Sequence, residues 1–304
     1  MKKISTIIVP SDVPGNYDAE YVSNYQAITQ HTDNLILFVC DHKIEHLNDD
    51  FIHVTEQMQH PEYLFKLAKH NQVGAFAAHL GLVARYGKLY PEINYVIKLN
   101  AKTNALKNSV IDPYSSPLWS VHDVITFKKH SGLKIRGIGI TLYLGSQYEP
   151  QMLKETAQAI FQAHQHGLVA LVWLYARGST IRNETSPEYI IGAAGVAASL
   201  GADFVKLKMP EVNGAESTAD LHRAVVAAGN TKIICSGGNY QDLKTLLQSI
   251  YNQIHLGNSH GVAIGRNLFQ RNLHSAEQLI IALDGIINKG LDVEQALHNA
   301  LEAN

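Results

Sequence analysis

Eight short, almost uninterrupted apolar runs, separated by longer amphipathic stretches, constrain this chain more than any other feature. In order they are LILFVCD (35–41), VGAFAA (73–78), YVIKLN (95–100), GIGITLY (137–143), LVALVWLY (168–175), DFVKLK (203–208), KIICSGG (232–238) and GVAIG (261–265). A strand with one wet face alternates apolar and polar residues, whereas runs without that alternation are what parallel strands covered on both faces require. The spacers read as helices. Residues 148–167 put Met152, Ala159, Ile160 and Ala163 near one face and end at Gly167. Residues 186–202 start with Ser186 as a cap and Pro187 at the first helical position, and stop at Gly201. One more helix is expected near residues 17–29, ahead of the first strand.

Eight strand–helix units in 304 residues predict an α/β chain folded as a single (β/α)8 TIM barrel. On this reading 1–304 is one domain, with an N-terminal extension over 1–34, barrel strands within about 35–271, and C-terminal helices over 272–304. An open doubly wound sheet is the alternative, and the lack of a Gly-rich nucleotide loop after the first strand favours closure. Hydrophobic residues make up 46% and charged residues 17%, with 25 basic against 27 acidic side chains, so no nucleic-acid partner is implied. The opening MKKISTIIVPSD is broken by Pro10 and Asp12 before it reaches signal-peptide length, and no stretch approaches a membrane span. Cys40 and Cys235 sit in apolar runs and form neither a disulfide framework nor a zinc spacing, which fits a reducing cytoplasm. The 16 histidines are scattered through presumed helices, as at His164, His166, His222 and His298, so most are expected at the surface and none in a metal motif.

In such a barrel the chemistry sits at the C-terminal ends of the strands. There the first run ends in Asp41-His42, the third carries Lys98 and Asn100, and the fifth reads Trp173, Leu174, Tyr175, Ala176, Arg177. Lys206 and Lys208 lie two apart in the sixth run and so share a face. Burial and crowding of two ammonium groups would leave Lys206 a nucleophilic amine able to form a Schiff base. Two lysines in water at the barrel rim, or two cations binding phosphate, are the other readings. Ser236-Gly237-Gly238 and Gly265-Arg266 follow strands seven and eight, where these barrels often hold phosphate on backbone N–H groups, with Arg266 as the charged fork. Trp173 and Tyr175 share a face and serve either packing or, for the phenol, proton transfer. The stretch DHKIEH places Asp41, His42, Glu45 and His46 within six residues, but it lacks an HExxH pattern. Asp41 reads better as a carboxylate at the barrel mouth, accepting from substrate hydroxyls or from a lysine, and His42 and His46 are equally plausible as local structural donors.

VCDHKIEH, VIKLNAKT, VWLYARG, GADFVKLKMP, CSGG and GVAIGRNLFQR, in that order from about residue 36 to 271, resemble the archaeal and bacterial class I fructose-bisphosphate aldolases. That family is related to deoxyribose-phosphate aldolase. The resemblance implies a TIM barrel in which Lys206 forms an imine with dihydroxyacetone phosphate. It implies Tyr175 as general acid and base, Trp173 beside it, and Asp41 as the first-strand carboxylate. Ser236, Gly237, Gly238, Gly265 and Arg266 are then phosphate-binding; Lys208, His42 and Lys98, at the same strand ends, are read from their own positions as further substrate contacts. It further implies a sugar-phosphate substrate, no metal or other cofactor, and a homo-oligomer, often a decamer in the family. Lys43, Leu47 and Ala101 stand where the family usually has Gly. The imine is therefore better supported than the sugar. Relatives with the same lysine act on other ketose or diketone phosphates as transaldolase or thiolase, and a sugar-phosphate-binding barrel without turnover is a further alternative.

Overall fold

The computed structural model describes residues 7–105 and 112–302, so the basic opening at 1–6 lies outside it. The barrel strands are β1 (Leu35–Val39), β2 (Ala75–His79), β3 (Tyr95–Lys98) and β4 (Ile135–Leu144). They continue as β5 (Val169–Ala176), β6 (Phe204–Leu207), β7 (Lys232–Ser236) and β8 (Gly261–Ile264). Every neighbouring pair is parallel, and β1 pairs with both β2 and β8, so the sheet closes on itself as a (β/α)8 TIM barrel. The doubly wound alternative is excluded by that closure. Asn100 lies beyond β3, in a two-residue ribbon against Ser116–Pro117.

Closure explains why the strand runs are apolar throughout. On β1, Leu35, Leu37 and Val39 join Ala75, Val96, Leu171 and Phe204 inside the barrel. The alternate residues Ile36 and Phe38 pack outward against the helical layer. Both faces are therefore dry. The helices follow their local signals: α2 (Val121–Ser131) starts with a reciprocal capping box between Ser120 and Asp123 and ends at Gly132. α3 (Glu149–His164) buries Met152, Ala159, Ile160 and Ala163 as its pattern predicts. α4 (Pro187–Ser199) has Ser186 at its cap position, yet that side chain makes no capping bond, a departure from the sequence expectation.

The segment before β1 forms α1 (Asp18–Thr29), which covers the N-terminal end of the barrel. Its Tyr21, Tyr25 and Ile28 join the interior cluster, and the Tyr25 ring stacks on Phe204 with centroids 5.3 Å apart. Among the described residues, the polar cleft opens at the opposite end of the barrel. Among the described residues no helix is long and apolar enough to cross a membrane.

His164 overturns the expectation of a surface residue. It is fully buried, with Nδ1 2.9 Å from Asp12 and Nε2 3.1 Å from Asp203. Asp203 also accepts from the Tyr21 hydroxyl and the Ala170 amide, tying α1 to the bottom of β5 and β6. Burial alone would lower the imidazole pKa, but the carboxylates of Asp203 and Asp12 outweigh it and raise the group from 6.5 to about 9. The folded state therefore binds a proton that the unfolded chain gives up near pH 6.5. This stabilisation, of order 3 kcal/mol, is complete below about pH 6.5 and lost as pH rises through about 9. Denaturant unfolding of the wild type and His164→Gln should show a gap in midpoint at pH 6 that narrows steadily towards pH 10.

Candidate active site

The inward register turns polar at the open end of the barrel. Going up the interior, Trp173 pairs in register with Lys206, Thr141 with Trp173, Lys98 with Gly139, and His79 with Lys98. Asp41 continues the inward column of β1, and Tyr175 that of β5. A cleft of about 570 Å³ opens there. Asp41, His42, Tyr175, Lys206, Lys208, Ser236, Gly237, Gly238, Gly265 and Arg266 line it.

Lys206 is 8% exposed, with its Nζ 5.7 Å from the centre of the Trp173 ring and 5.9 Å from that of Tyr175. The buried Lys98 Nζ approaches the same indole at 5.7 Å, so Trp173 lies close to two lysines. Gly139 makes this possible, because a Cβ there would lie 2.5 Å from the indole. Trp173 and Lys98 do not line the cleft; they form its floor, with Lys98 donating to Asn100 O at 2.8 Å and Glu45 Oε1 at 3.3 Å.

The charge state of Lys206 differs from the sequence expectation. Burial does push the ammonium towards neutrality, but the Tyr175 oxygen, which accepts a hydrogen bond from it, and the Asp41 carboxylate more than offset this and hold its pKa above the ordinary lysine value. Lys208 is not the crowding partner expected, because its ammonium pairs with Glu184. Burial also opposes ionisation of Asp41, yet His42, Lys206 and Lys98 prevail and keep it well below the usual carboxylate range. Tyr175 moves the other way. Burial, only partly countered by Lys206, raises its phenol and keeps it protonated. Burial likewise raises Glu45 and lowers His42 to about 4, so the imidazole is neutral at pH 7. A protonated phenol, an ionised carboxylate and a buried lysine thus share one chamber.

The glycine turns lie on the neighbouring strand ends. Gly238 takes a left-handed φ of 65°, and Asn267 Nδ2 clips the turn by donating to Gly237 O and Asn239 O at 2.8 and 2.7 Å. The Arg266 Nε is buried without a hydrogen-bond partner, and its Nη1 lies 4.0 Å from Asp50, a carboxylate bonded more closely by His46 at 2.6 Å. Among the described residues, no group of three or more His, Cys, Asp or Glu side chains is placed to hold a metal ion.

None of the three unusual positions lines the open cleft. Lys43 turns to Asn48 Oδ1 and Gln59 O, each at 2.9 Å, and Leu47 occupies left-handed backbone with φ 52°. That conformation is the reason a glycine suits position 47. Ala101 is buried in the ribbon after β3. Sequence reasoning noted Asn267 at the end of the eighth run, after Gly265-Arg266, without giving it a role, and missed Gly139 and Glu184. Gly139 acts through an indole on the next strand, and Glu184 joins Arg177, 7 residues away, to Lys208, 24 residues away, so neither carries a local pattern.

A closed barrel whose open end gathers a lysine, a phenol, a carboxylate and two glycine turns has the architecture of an α/β-barrel enzyme. The chain belongs to the DeoC/LacD family of aldolases, whose family model matches residues 35–271. A fructose-bisphosphate aldolase/6-deoxy-5-ketofructose 1-phosphate synthase of Methanocaldococcus jannaschii is 44% identical over 292 residues, 95% of this chain and 93% of the relative. The structure of a fructose-bisphosphate aldolase from Slackia heliotrinireducens superposes with a TM-score of 0.94 at 41% identity, covering 98% of this chain and 95% of that one. An archaeal fructose-1,6-bisphosphate aldolase with its catalytic lysine covalently bound to the carbinolamine intermediate of the substrate gives a TM-score of 0.76 at 27% identity. It covers 88% of this chain and 99% of that one.

Gly139→Ala should displace the indole and cost about 1–3 kcal/mol, as overpacking of a filled interior does. The denaturation midpoint and the tryptophan emission of the folded state should both change, and an unchanged pair would mean the indole has another place to go.

Proposed function

We propose that this chain is a class I aldolase that cleaves fructose 1,6-bisphosphate reversibly to dihydroxyacetone phosphate and glyceraldehyde 3-phosphate through an imine on Lys206. The observation that carries this reading is the buried lysine beside a protonated phenol and an ionised carboxylate, with glycine turns on the next strand ends. The carbinolamine-bearing relative supports it.

Lys206 starts charged, so it first loses a proton to water in the open cleft, and its free pair then attacks the C2 carbonyl of the open-chain sugar. The Tyr175 phenol protonates the carbinolamine hydroxyl, which leaves as water, giving an iminium ion beside a tyrosinate. That tyrosinate takes the proton of the C4 hydroxyl while the C3–C4 bond breaks; the bonding pair flows into the iminium, and the aldehyde departs. Reprotonation of the enamine at C3 by Tyr175 and addition of water release dihydroxyacetone phosphate. The iminium is the electron sink, so no step asks for a metal. Asp41 accepts from substrate hydroxyls, the turns at 236–238 and 265–266 hold the C1 phosphate, and Trp173 and Lys98 shape the floor. Lys208 and His42 complete the contacts.

A second reading keeps the imine and changes the aldehyde. The Methanocaldococcus jannaschii relative carries a synthase name beside its aldolase name, and the same lysine chemistry serves transfer of a ketose fragment to another carbonyl. Turnover of a panel of ketose phosphates and of acceptor aldehydes separates the two.

Borohydride added with fructose 1,6-bisphosphate should leave a reduced adduct on Lys206, seen by peptide mass, and none in Lys206→Met; an adduct elsewhere, or none at all, refutes the imine. Tyr175→Phe should lower kcat by about 10²–10⁴-fold and slow the build-up of the trapped adduct as well, because the phenol also drives loss of water from the carbinolamine. Asp41 holds the Lys206 pKa up, so Asp41→Asn should lower that pKa and shift the pH profile of imine trapping to lower pH. A profile that stays in place or moves up would show that Asp41 does not set the charge of the amine.

A further inference from the structure

Two cations stand at the cleft on the strand ends next to the glycine turns, and both are tied to one carboxylate. Arg177, just after β5, donates through Nη2 and Nε to Glu184 Oε2 at 2.8 and 3.2 Å. Lys208, just after β6, binds the other oxygen, Glu184 Oε1. Arg177 and Lys208 line the cleft, while Glu184 does not, so the carboxylate backs the cations from the loop between β5 and α4. All three side chains are about a third exposed, at 31, 30 and 32%. Two further acids lining the cleft are engaged elsewhere, Glu211 with Thr185 and Glu216 with Ser249.

The flank at β8, beyond the glycine turn of β7, is arranged differently. Arg266 keeps a buried Nε without a partner, and its one nearby carboxylate is 4.0 Å away and bonded more closely by His46. One flank of the cleft therefore offers an almost unspent guanidinium beside glycine turns, and the other offers two cations with half their charge cancelled. A dianion bound at Arg177 and Lys208 lies well within a Debye length of Glu184, about 8 Å at physiological salt, and feels the carboxylate as repulsion.

We propose that Glu184 is the specificity-determining residue for charge on the aldehyde half of the substrate: by cancelling one of the two positive charges of Arg177 and Lys208, it restrains the preference for a second phosphate. The inference rests on the aldolase reading of this site. It gives that reading a physical dial, since the same imine then serves sugars with or without a phosphate on the departing aldehyde.

The test compares wild type with Glu184→Gln, which keeps the side-chain length and removes the charge, and with Glu184→Ala. For each, kcat/KM is measured for fructose 1,6-bisphosphate and for fructose 1-phosphate. The ratio of the two should rise at least fivefold in both variants, through KM of the bisphosphate, and fall back as salt is added. An unchanged or lower ratio overturns the proposal, because Glu184 would then hold the two cations in place rather than restrain them. A parallel calorimetric titration with hexitol 1,6-bisphosphate and hexitol 1-phosphate, which have no carbonyl and form no imine, keeps the two failures apart. If wild type turns over neither sugar, the aldolase reading fails, and the affinity ratio of the two hexitols in wild type against Glu184→Gln decides the role of Glu184 by the same fivefold criterion.

Discussion

Everything at the open end of this barrel depends on parallel pairing in register. Because the sheet closes and side chains alternate, one residue in two along every strand must enter a shared interior, and the register sets the height at which it does so. Apolar residues fill the lower layers, and α1 covers the end beneath them. At the upper layer the same inward column delivers Asp41, Lys98, Tyr175 and Lys206 to one another from strands far apart in the chain. A register slip of one residue on β6 would turn Lys206 out into the helical layer and remove it from the chamber.

Burial is unfavourable for each of these groups taken alone. Together they set one another's protonation: the cations keep Asp41 ionised, while Asp41 and the phenol keep Lys206 charged against the pull of desolvation. The resting site is therefore a compensated cluster and not a free amine waiting for a carbonyl. Activation of the lysine has to accompany substrate binding or proton loss, and a tyrosine whose phenol stays protonated is suited to begin by giving a proton away. At the other end of the barrel the same physics serves stability, where two carboxylates make a fully buried His164 more basic than in water.

How much of this was legible in the sequence depends on the distance over which each signal acts. The eight apolar runs and their order were local patterns, and the strands appear within a few residues of them; β4, at Ile135–Leu144, extends beyond the 137–143 run at both ends. The polar residues at strand ends were legible too, since a lysine in VKLK or an aspartate after LILFVC conflicts with burial unless a site uses it. The pairing of Lys208 with Glu184 was not, because 24 residues and a whole helix separate them. Nor was the need for glycine at 139, which exists only because an indole from the adjacent strand occupies the space above it.

The sequence by itself determined that the chain makes parallel strands dry on both faces, which of their ends carry unusual polar residues, and which family of barrels its motifs resemble, because period and composition act within a strand. Only the tertiary structure decided which charges meet. Lys206 is raised rather than lowered, Lys208 is held by Glu184, and His164 is a buried cation rather than a surface base, since each of these outcomes is a balance between desolvation and Coulomb terms from partners that closure brings together.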